Sequence, residues 1–100
     1  MIYITQLIFT RDGEENVFHE FEEMAMPLIK KYNGRLLLRI RTDDKSLIEC
    51  TIDKPYEIHL VEFDGEQDFE NFKLDEERKK FLHLKEKSVK SSIMIKGLKL

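Results

Sequence analysis

The stretch YEIHLVEF at residues 56–63 decides the fold that this sequence predicts. It is rich in β-branched and aromatic side chains, and turn-forming residues bound it, Asp53 to Pro55 before it and Asp64 with Gly65 after it. Such a run predicts a β-strand whose side chains point alternately to two faces. The elements predicted on either side of this strand are three more strands and the helices that partner them.

Three other segments are also predicted as strands. They are Ile2 to Phe9, Arg35 to Thr42 and Ile93 to Leu98, each of which contains β-branched or large apolar residues and is bounded by turn formers. The segment Ser46 to Ile52 fits either a short extra strand or an extended loop. The strand count is therefore four, with one segment left open.

A helix is predicted between the first two strands. Asp12 is the expected N-cap, because Glu15 three residues later can close a capping box. Pro27 removes a backbone donor, so a kink is expected near Met24. Gly34 is expected to end the helix as a left-handed cap. The apolar stripe at helical spacing consists of Phe18, Phe21, Ala25, Leu28 and Tyr32, and the acidic Glu20, Glu22 and Glu23 are assigned beside or opposite it.

Two helices are predicted between the last two strands. Glu66 to Phe72 forms a short one, and a longer one runs from Asp75, at its N-terminus, to about Lys87, burying Phe81. The order β-α-β-β-α-α-β predicts an α+β, ferredoxin-like βαββαβ fold with a four-stranded antiparallel sheet. Right-handed crossovers place all helices on one face. Residues 1–100 are expected to form a single domain.

Alternation divides the strand residues into two sets. The almost purely apolar set is expected to meet the helices and consists of Ile2, Ile4, Ile8, Leu36, Leu38, Ile40, Tyr56, Ile58, Leu60, Ile93 and Ile95. The other set consists of Tyr3, Thr5, Leu7, Phe9, Leu37, Arg39, Arg41, Glu57, His59, Val61, Phe63, Met94, Lys96 and Leu98. This second set is too apolar for a face open to water, so it predicts a homodimer that stacks sheet on sheet.

Polar groups within the second set form the candidate ligand-binding site: Tyr3, Arg39, His59 and Lys96. In one interpretation Arg39 and Lys96 hold a small anionic molecule while His59 shuttles a proton. In the other, Arg39 pairs with Glu57, His59 is hydrogen-bonded at the dimer rim, and the protein is a non-catalytic interaction module. No complete catalytic constellation is present, and the sequence does not decide whether the protein is an enzyme.

Composition excludes several classes of function. The net charge of −3 argues against nucleic acid as a partner, although nine Lys and Arg against four Asp and Glu give the segment from Lys73 onward a charge of +5. A single cysteine, Cys50, excludes an internal disulfide. His19 and His83 are expected to be solvated, and no metal or cofactor motif is present. Without a membrane span or signal peptide, a cytoplasmic location is expected.

The chain resembles the dimeric α/β-barrel superfamily, and within it domain of unknown function number 1330. The resemblance rests on the junction from Lys31 to Leu37, on the strand ending Val61 to Phe63, and on the helices with Asp68, Phe69 and Phe72 and then Asp75 to Phe81. It implies a sheet-to-sheet dimer with a cleft between helices and sheet or inside the barrel. Because relatives in that superfamily differ widely in chemistry, it implies no reaction.

Overall fold

A four-stranded antiparallel sheet forms the framework of the computed structural model, which describes residues 1–100. The strands are β1 (Ile2–Thr10), β2 (Gly34–Arg41), β3 (Glu57–Phe63) and β4 (Val89–Leu98). Their order across the sheet is β2-β3-β1-β4, and all three neighbouring pairs are antiparallel. This order, together with the alternation of strands and helices, confirms the predicted ferredoxin-like α+β fold.

The helices lie on one face of the sheet. They are α1 (Glu15–Ala25), a 3-10 helix (Met26–Tyr32), α2 (Glu66–Lys73), α3 (Glu76–Lys80) and α4 (Leu82–Ser88). The 3-10 helix packs against β2 and α2, while α4 packs beside α1. The best-buried apolar cluster joins β1, β3 and α2 to the 3-10 helix and consists of Ile2, Ile4, Ile29, Phe63 and Phe69.

The ends of the first helical segment differ from the prediction. Helix α1 begins at Glu15 after an N-cap residue, Glu14, that makes no side-chain cap bond, so the capping box expected at Asp12 does not form. The break expected from Pro27 takes the form of a change from α to 3-10 geometry after Ala25. The left-handed residue at the far end is Asn33, with φ 57°, and not Gly34.

Gly34 instead allows two elements to approach closely. A Cβ atom on it would lie 2.7 Å from Ile29 Cγ2 and 2.7 Å from Phe63 Cε1. Both neighbours are buried, so the absence of a side chain at Gly34 lets the start of β2 sit directly against the core. This contact fixes where the 3-10 helix turns into the sheet.

A β-bulge in β2 reverses part of the predicted division into faces. Leu36 lies opposite Val61 but Leu38 lies opposite Leu60, so the extra residue is Leu37 and the alternation shifts by one. Beyond the bulge, Arg39 and Arg41 share the helix side with His59 and Glu57.

The prediction of which strand residues meet the helices is therefore right for β1 and wrong for most of the other strands. The helices cover the face that contains Ile4, His59, Val61, Phe63 and Met94. The opposite face, here called the outer face, contains the apolar side chains Leu7, Leu38, Ile40, Ile58, Leu60, Ile93 and Ile95. The sequence predicts an apolar face without helices, and the structure contains one. Most of the residues predicted to form that face, however, lie on the side that the helices cover.

The C-terminal helices are shorter than predicted. Asp75 is the N-cap of α3, and its Oδ1 accepts a hydrogen bond of 2.8 Å from the backbone N–H of Arg78. Phe81 separates α3 from α4 and remains exposed, which contradicts its expected burial. The segment Ser46 to Ile52 belongs to a loop and forms no strand.

Candidate functional site

A cavity of about 70 Å³ lies between the sheet and the helices. Ten of its 13 lining residues are hydrophobic, and the three polar ones are Gln6 on β1, Glu22 on α1 and His59 on β3. Met94 contributes from the edge strand β4 and is 47% exposed, so the cavity opens toward that edge. Its wall therefore offers an apolar lining with one carboxyl, one imidazole and one amide.

Glu22 is the most unusual group in this wall. Its side chain is 8% exposed, yet its carboxyl forms no ion pair and no side-chain hydrogen bond. Burial raises the pKa of Glu22, and the nearby charges of His59 and Arg39 only partly oppose that effect. A buried carboxyl with free lone pairs can bind a hydroxyl or amine when ionised and donate to a carbonyl when protonated.

His59 is held in place by a buried ionic cluster. Its Nε2 lies 2.8 Å from Oε1 of Glu57, and both side chains are almost completely buried. Arg39 donates to both carboxylate oxygens of Glu57, at 2.8 and 3.1 Å, and Arg41 donates to Oε2. Burial alone would raise the pKa of Glu57, but hydrogen bonds from His59, Arg39 and Arg41 lower it to about 2. An ionised Glu57 therefore fixes the orientation of the His59 ring.

The four residues of the predicted site do not lie together. Tyr3 lies on the outer face opposite Glu62, and a hydrogen bond with Glu62 raises its pKa. Lys96 lies on the helix side near the sheet edge and pairs with Glu66 of α2. The prediction that all four share one open sheet face is therefore wrong.

Arg39 and His59 do meet, but under the helices. The predicted pair between Arg39 and Glu57 is confirmed, whereas His59 is buried beside the cavity and does not lie at an outer rim. Arg39 is engaged by both oxygens of Glu57, so its role here is to position the Glu57–His59 pair.

His19 also departs from its predicted solvation. It is half-buried, its Nε2 lies 2.6 Å from the hydroxyl of Tyr56, and the two rings stack at 5.7 Å between centroids. His83 is exposed. No group of three or more His, Cys, Asp or Glu side chains is arranged to hold a metal ion, and none of the helices has the length and apolar content that a membrane span requires.

Glu22 is the site residue that the sequence reading missed. It was grouped with the solvated acidic residues, although it follows Phe18 by four positions and precedes Ala25 by three. Those spacings place it on the same helix face as the buried residues. The sequence signal that indicates a buried Glu22 is therefore a charged residue within the apolar stripe of a helix.

Known structures share the fold at low sequence identity. A protein of unknown function from Rhodopseudomonas palustris superposes with a TM-score of 0.84 and 13% identity, over 99% of this chain and 82% of that one. A dimeric protein of unknown function and ferredoxin-like fold from Bacteroides fragilis gives 0.71 and 15%, over 96% and 93%. A dabb family protein with a ferredoxin-like fold from Mesorhizobium loti gives 0.71 and 11%, over 99% and 96%.

These likenesses extend to the fold alone. No protein-family model matches the sequence, and no curated protein matches it significantly. The ferredoxin-like part of the sequence resemblance is thus confirmed, while its assignment to domain of unknown function number 1330 is not.

Proposed function

We propose that this protein binds a small, mainly apolar molecule in the cavity between sheet and helices, where Glu22 and His59 bond to its polar group. The observation that carries the proposal is the carboxyl of Glu22, which belongs to a buried residue, makes no ion pair and lies in an apolar cavity wall beside an oriented imidazole. A carboxyl and an imidazole at one cavity suit proton transfer to or from a bound molecule. We therefore favour a binding or converting role over a purely structural one.

The stability cost at Glu22 supports this role. Burial raises the pKa of Glu22, so its ionised form is disfavoured in the folded protein, and buried polar groups usually have hydrogen-bond partners. Glutamine or leucine would fill the same space without a buried charge. A ligand with a hydroxyl or carbonyl group would supply the missing partner.

The cavity limits the size of the molecule. A volume of about 70 Å³ is smaller than the roughly 300–1,000 Å³ of pockets for drug-sized ligands. The enclosed part of the ligand is therefore a few heavy atoms, such as one end of an apolar chain or ring. Any larger part extends through the opening near Met94.

The originally expected anion site at Arg39 and Lys96 is not part of this proposal. Arg39 is paired with Glu57, and Lys96 with Glu66, so both cations already have carboxylate partners. The same pairing favours a second candidate function, a non-catalytic interaction module in which these polar residues only stabilise the fold. Ligand binding distinguishes the two functions.

We also propose that the protein acts as a homodimer joined through the outer face and belongs to the dimeric α/β-barrel superfamily, near domain of unknown function number 1330. Seven large apolar side chains on the outer face are not covered by any element of this chain. At about 25 cal/mol per Å² and roughly 60 Å² each, their burial is worth about 10 kcal/mol per protomer before association costs. The ferredoxin-like fold supports the superfamily, and a second copy has the apolar surface needed to cover this face.

A thermal-shift screen of small alcohols, ketones and phenols tests ligand binding. At a concentration 100 times Kd, a ligand adds about 2.7 kcal/mol, which raises Tm by roughly 10–20 °C in a domain of this size. We expect such a shift for wild type and for the control Glu20→Gln, which removes an exposed carboxylate of the same helix. We expect a clearly smaller shift for Glu22→Gln. Equal shifts in all three proteins, or none in wild type, would contradict the proposal.

A further inference from the structure

We infer that Arg78 and Lys85 form a binding site for a small oxyanion, a phosphate or carboxylate group, where α3 and α4 pack near α1. The site lies beside the cavity wall and not in it, so it does not depend on the proposed function. Three features carry the inference: an unpartnered guanidinium, a neighbouring unpartnered ammonium, and the contrast with the paired arginines elsewhere.

Arg78 lies among aromatic rings without a carboxylate partner. Its Cζ atom is 5.8 Å from the ring centroid of Phe21 and 5.2 Å from that of Phe72. Its Nε is buried and has no hydrogen-bond partner, and Nη1 makes only a long bond of 3.4 Å to the carbonyl oxygen of Lys73. Burial lowers the pKa of Arg78, which reflects this lack of compensation. A guanidinium in such surroundings has most of its donors free.

Lys85 adds a second uncompensated charge. It is half-buried on α4, and no carboxylate lies within ion-pair distance of its ammonium. Arg78 on α3 and Lys85 on α4 belong to helices that pack together. Burial lowers the pKa of Lys85, and the positive charge of Arg78 lowers it further. An anion between them would offset their mutual repulsion and favour both charged forms.

The arginines of β2 show what is missing here. Arg35 pairs with Glu62 and Asp64, and Arg39 and Arg41 both pair with Glu57. Glu22 favours the charged forms of both Arg78 and Lys85, and Asp75 favours that of Arg78, yet neither carboxylate forms an ion pair with these two side chains. The planar donor fork of arginine fits the oxygens of a phosphate or carboxylate, and lysine adds a point charge.

Titration with inorganic phosphate, followed by ¹H–¹⁵N NMR at constant ionic strength, tests this site without any cavity ligand. Acetate is titrated in parallel, and the tighter binder identifies the preferred group. We expect saturable shifts at the amides of α3 and α4. Arg78→Gln and Lys85→Gln should each weaken binding about tenfold or more, the usual effect of losing one charge-assisted hydrogen bond.

Matched controls separate the site from general surface charge. Lys80→Gln and Lys87→Gln remove exposed cations from the same two helices and should leave Kd within about twofold, because surface charges are screened. Lys85→Gln keeps the test valid if Arg78→Gln is poorly folded, since the ammonium of Lys85 makes no hydrogen bond and its backbone carbonyl, which accepts from Ser88 Oγ and Val89 N–H, is kept. Absence of saturable binding to wild type, equal weakening in all four variants, or binding of poly-glutamate alone would overturn the inference.

Discussion

Two buried glutamates respond to burial in opposite ways, and their partners explain the difference. Glu57 accepts hydrogen bonds from His59, Arg39 and Arg41, so its pKa falls to about 2 despite burial. Glu22 accepts none, so burial dominates and its pKa rises. In terms of role, Glu57 is a positioning residue, and Glu22 is the group left available to a ligand.

Replacing Glu22 should stabilise the protein at neutral pH. Because its folded-state pKa is raised, the penalty of burying its charge appears as pH rises above the ordinary pKa of 4.5 and is full above the folded-state pKa. Glu22→Gln removes that penalty, so we expect a gain in the free energy of unfolding of about 0.5–2 kcal/mol at pH 8 and almost none at pH 4. Urea unfolding at both pH values measures it. If Glu22→Gln destabilised the protein equally at pH 8 and pH 4, Glu22 would not be a buried charge with an uncompensated cost. Glu23→Gln, on the exposed side of the same helix, serves as the control.

Replacing Glu57 should have the reverse effect. Glu57→Ala leaves Arg39 and Arg41 without their carboxylate partner. We expect the free energy of unfolding to fall by about 2–3 kcal/mol at pH 7. This is at or below the usual cost of breaking a buried ion pair, because both arginines can turn to solvent. The folded-state pKa is depressed, so this contribution is present above pH 4.5 and is lost as pH falls through about 2. The difference between variant and wild type should therefore shrink in urea unfolding below pH 4. The control Glu49→Ala, in the exposed loop, should leave the free energy of unfolding unchanged both at pH 7 and below pH 4.

Individual residues were predicted unevenly from the sequence, for a physical reason. The position of Asp75 at a helix N-terminus and the pair between Arg39 and Glu57 follow from local or cross-strand neighbours, and both are confirmed. His19 was placed in solvent because its partner, the hydroxyl of Tyr56, is 37 positions away in the chain. Contacts of that kind depend on how the elements pack, which spacing within one helix does not reveal.

The elements themselves were predictable, but the faces of the strands were not. Strand positions and their order along the chain agree with the sequence reading to within a few residues, because turn formers and period-2 patterns mark them. The bulge at Leu37 shifts the alternation of β2, and no glycine or polar residue among the three leucines at residues 36–38 marks it. Since one extra residue exchanges the two faces, an undetected bulge moved Leu38 and Ile40 to the wrong side.

Gly34 is the element boundary where a single methyl group should matter most. Gly34→Ala places its Cβ 2.7 Å from atoms of Ile29 and Phe63, so these buried side chains or the backbone must shift to admit it. We expect the free energy of unfolding to fall by about 1–3 kcal/mol, as for other overpacked cores. Gly97→Ala is the matched control, because nothing lies within 4 Å of its new Cβ, and it should be neutral or slightly stabilising. If chemical denaturation showed the same loss in the free energy of unfolding for both variants, close packing at Gly34 would be contradicted.

At the scale of the whole molecule, the uncovered outer face determines the expected assembly. The helices occupy one side of the sheet only, and the apolar side chains on the other side include Ile58 at its centre, opposite Leu7 and Ile40 on the two neighbouring strands. Edge charges from Arg35, Glu62 and Asp64 border this face. An apolar centre with a polar rim is the usual anatomy of a protein interface, and the same face on a second copy is the simplest complement.

A single charge at the centre of the outer face should therefore separate the proposed dimer. Ile58→Lys would bury an ammonium group without a partner in the dimer but leave it solvated in the monomer, so we expect Kd to rise at least about 100-fold. Ile48→Lys makes the same chemical change at a fully exposed loop position and should leave the assembly unchanged. Sedimentation equilibrium at 1–50 μM (roughly the range in which such interfaces dissociate) measures both variants against wild type. A folded wild-type monomer throughout that range would disprove the dimer, because the apolar outer face would then be stable in water.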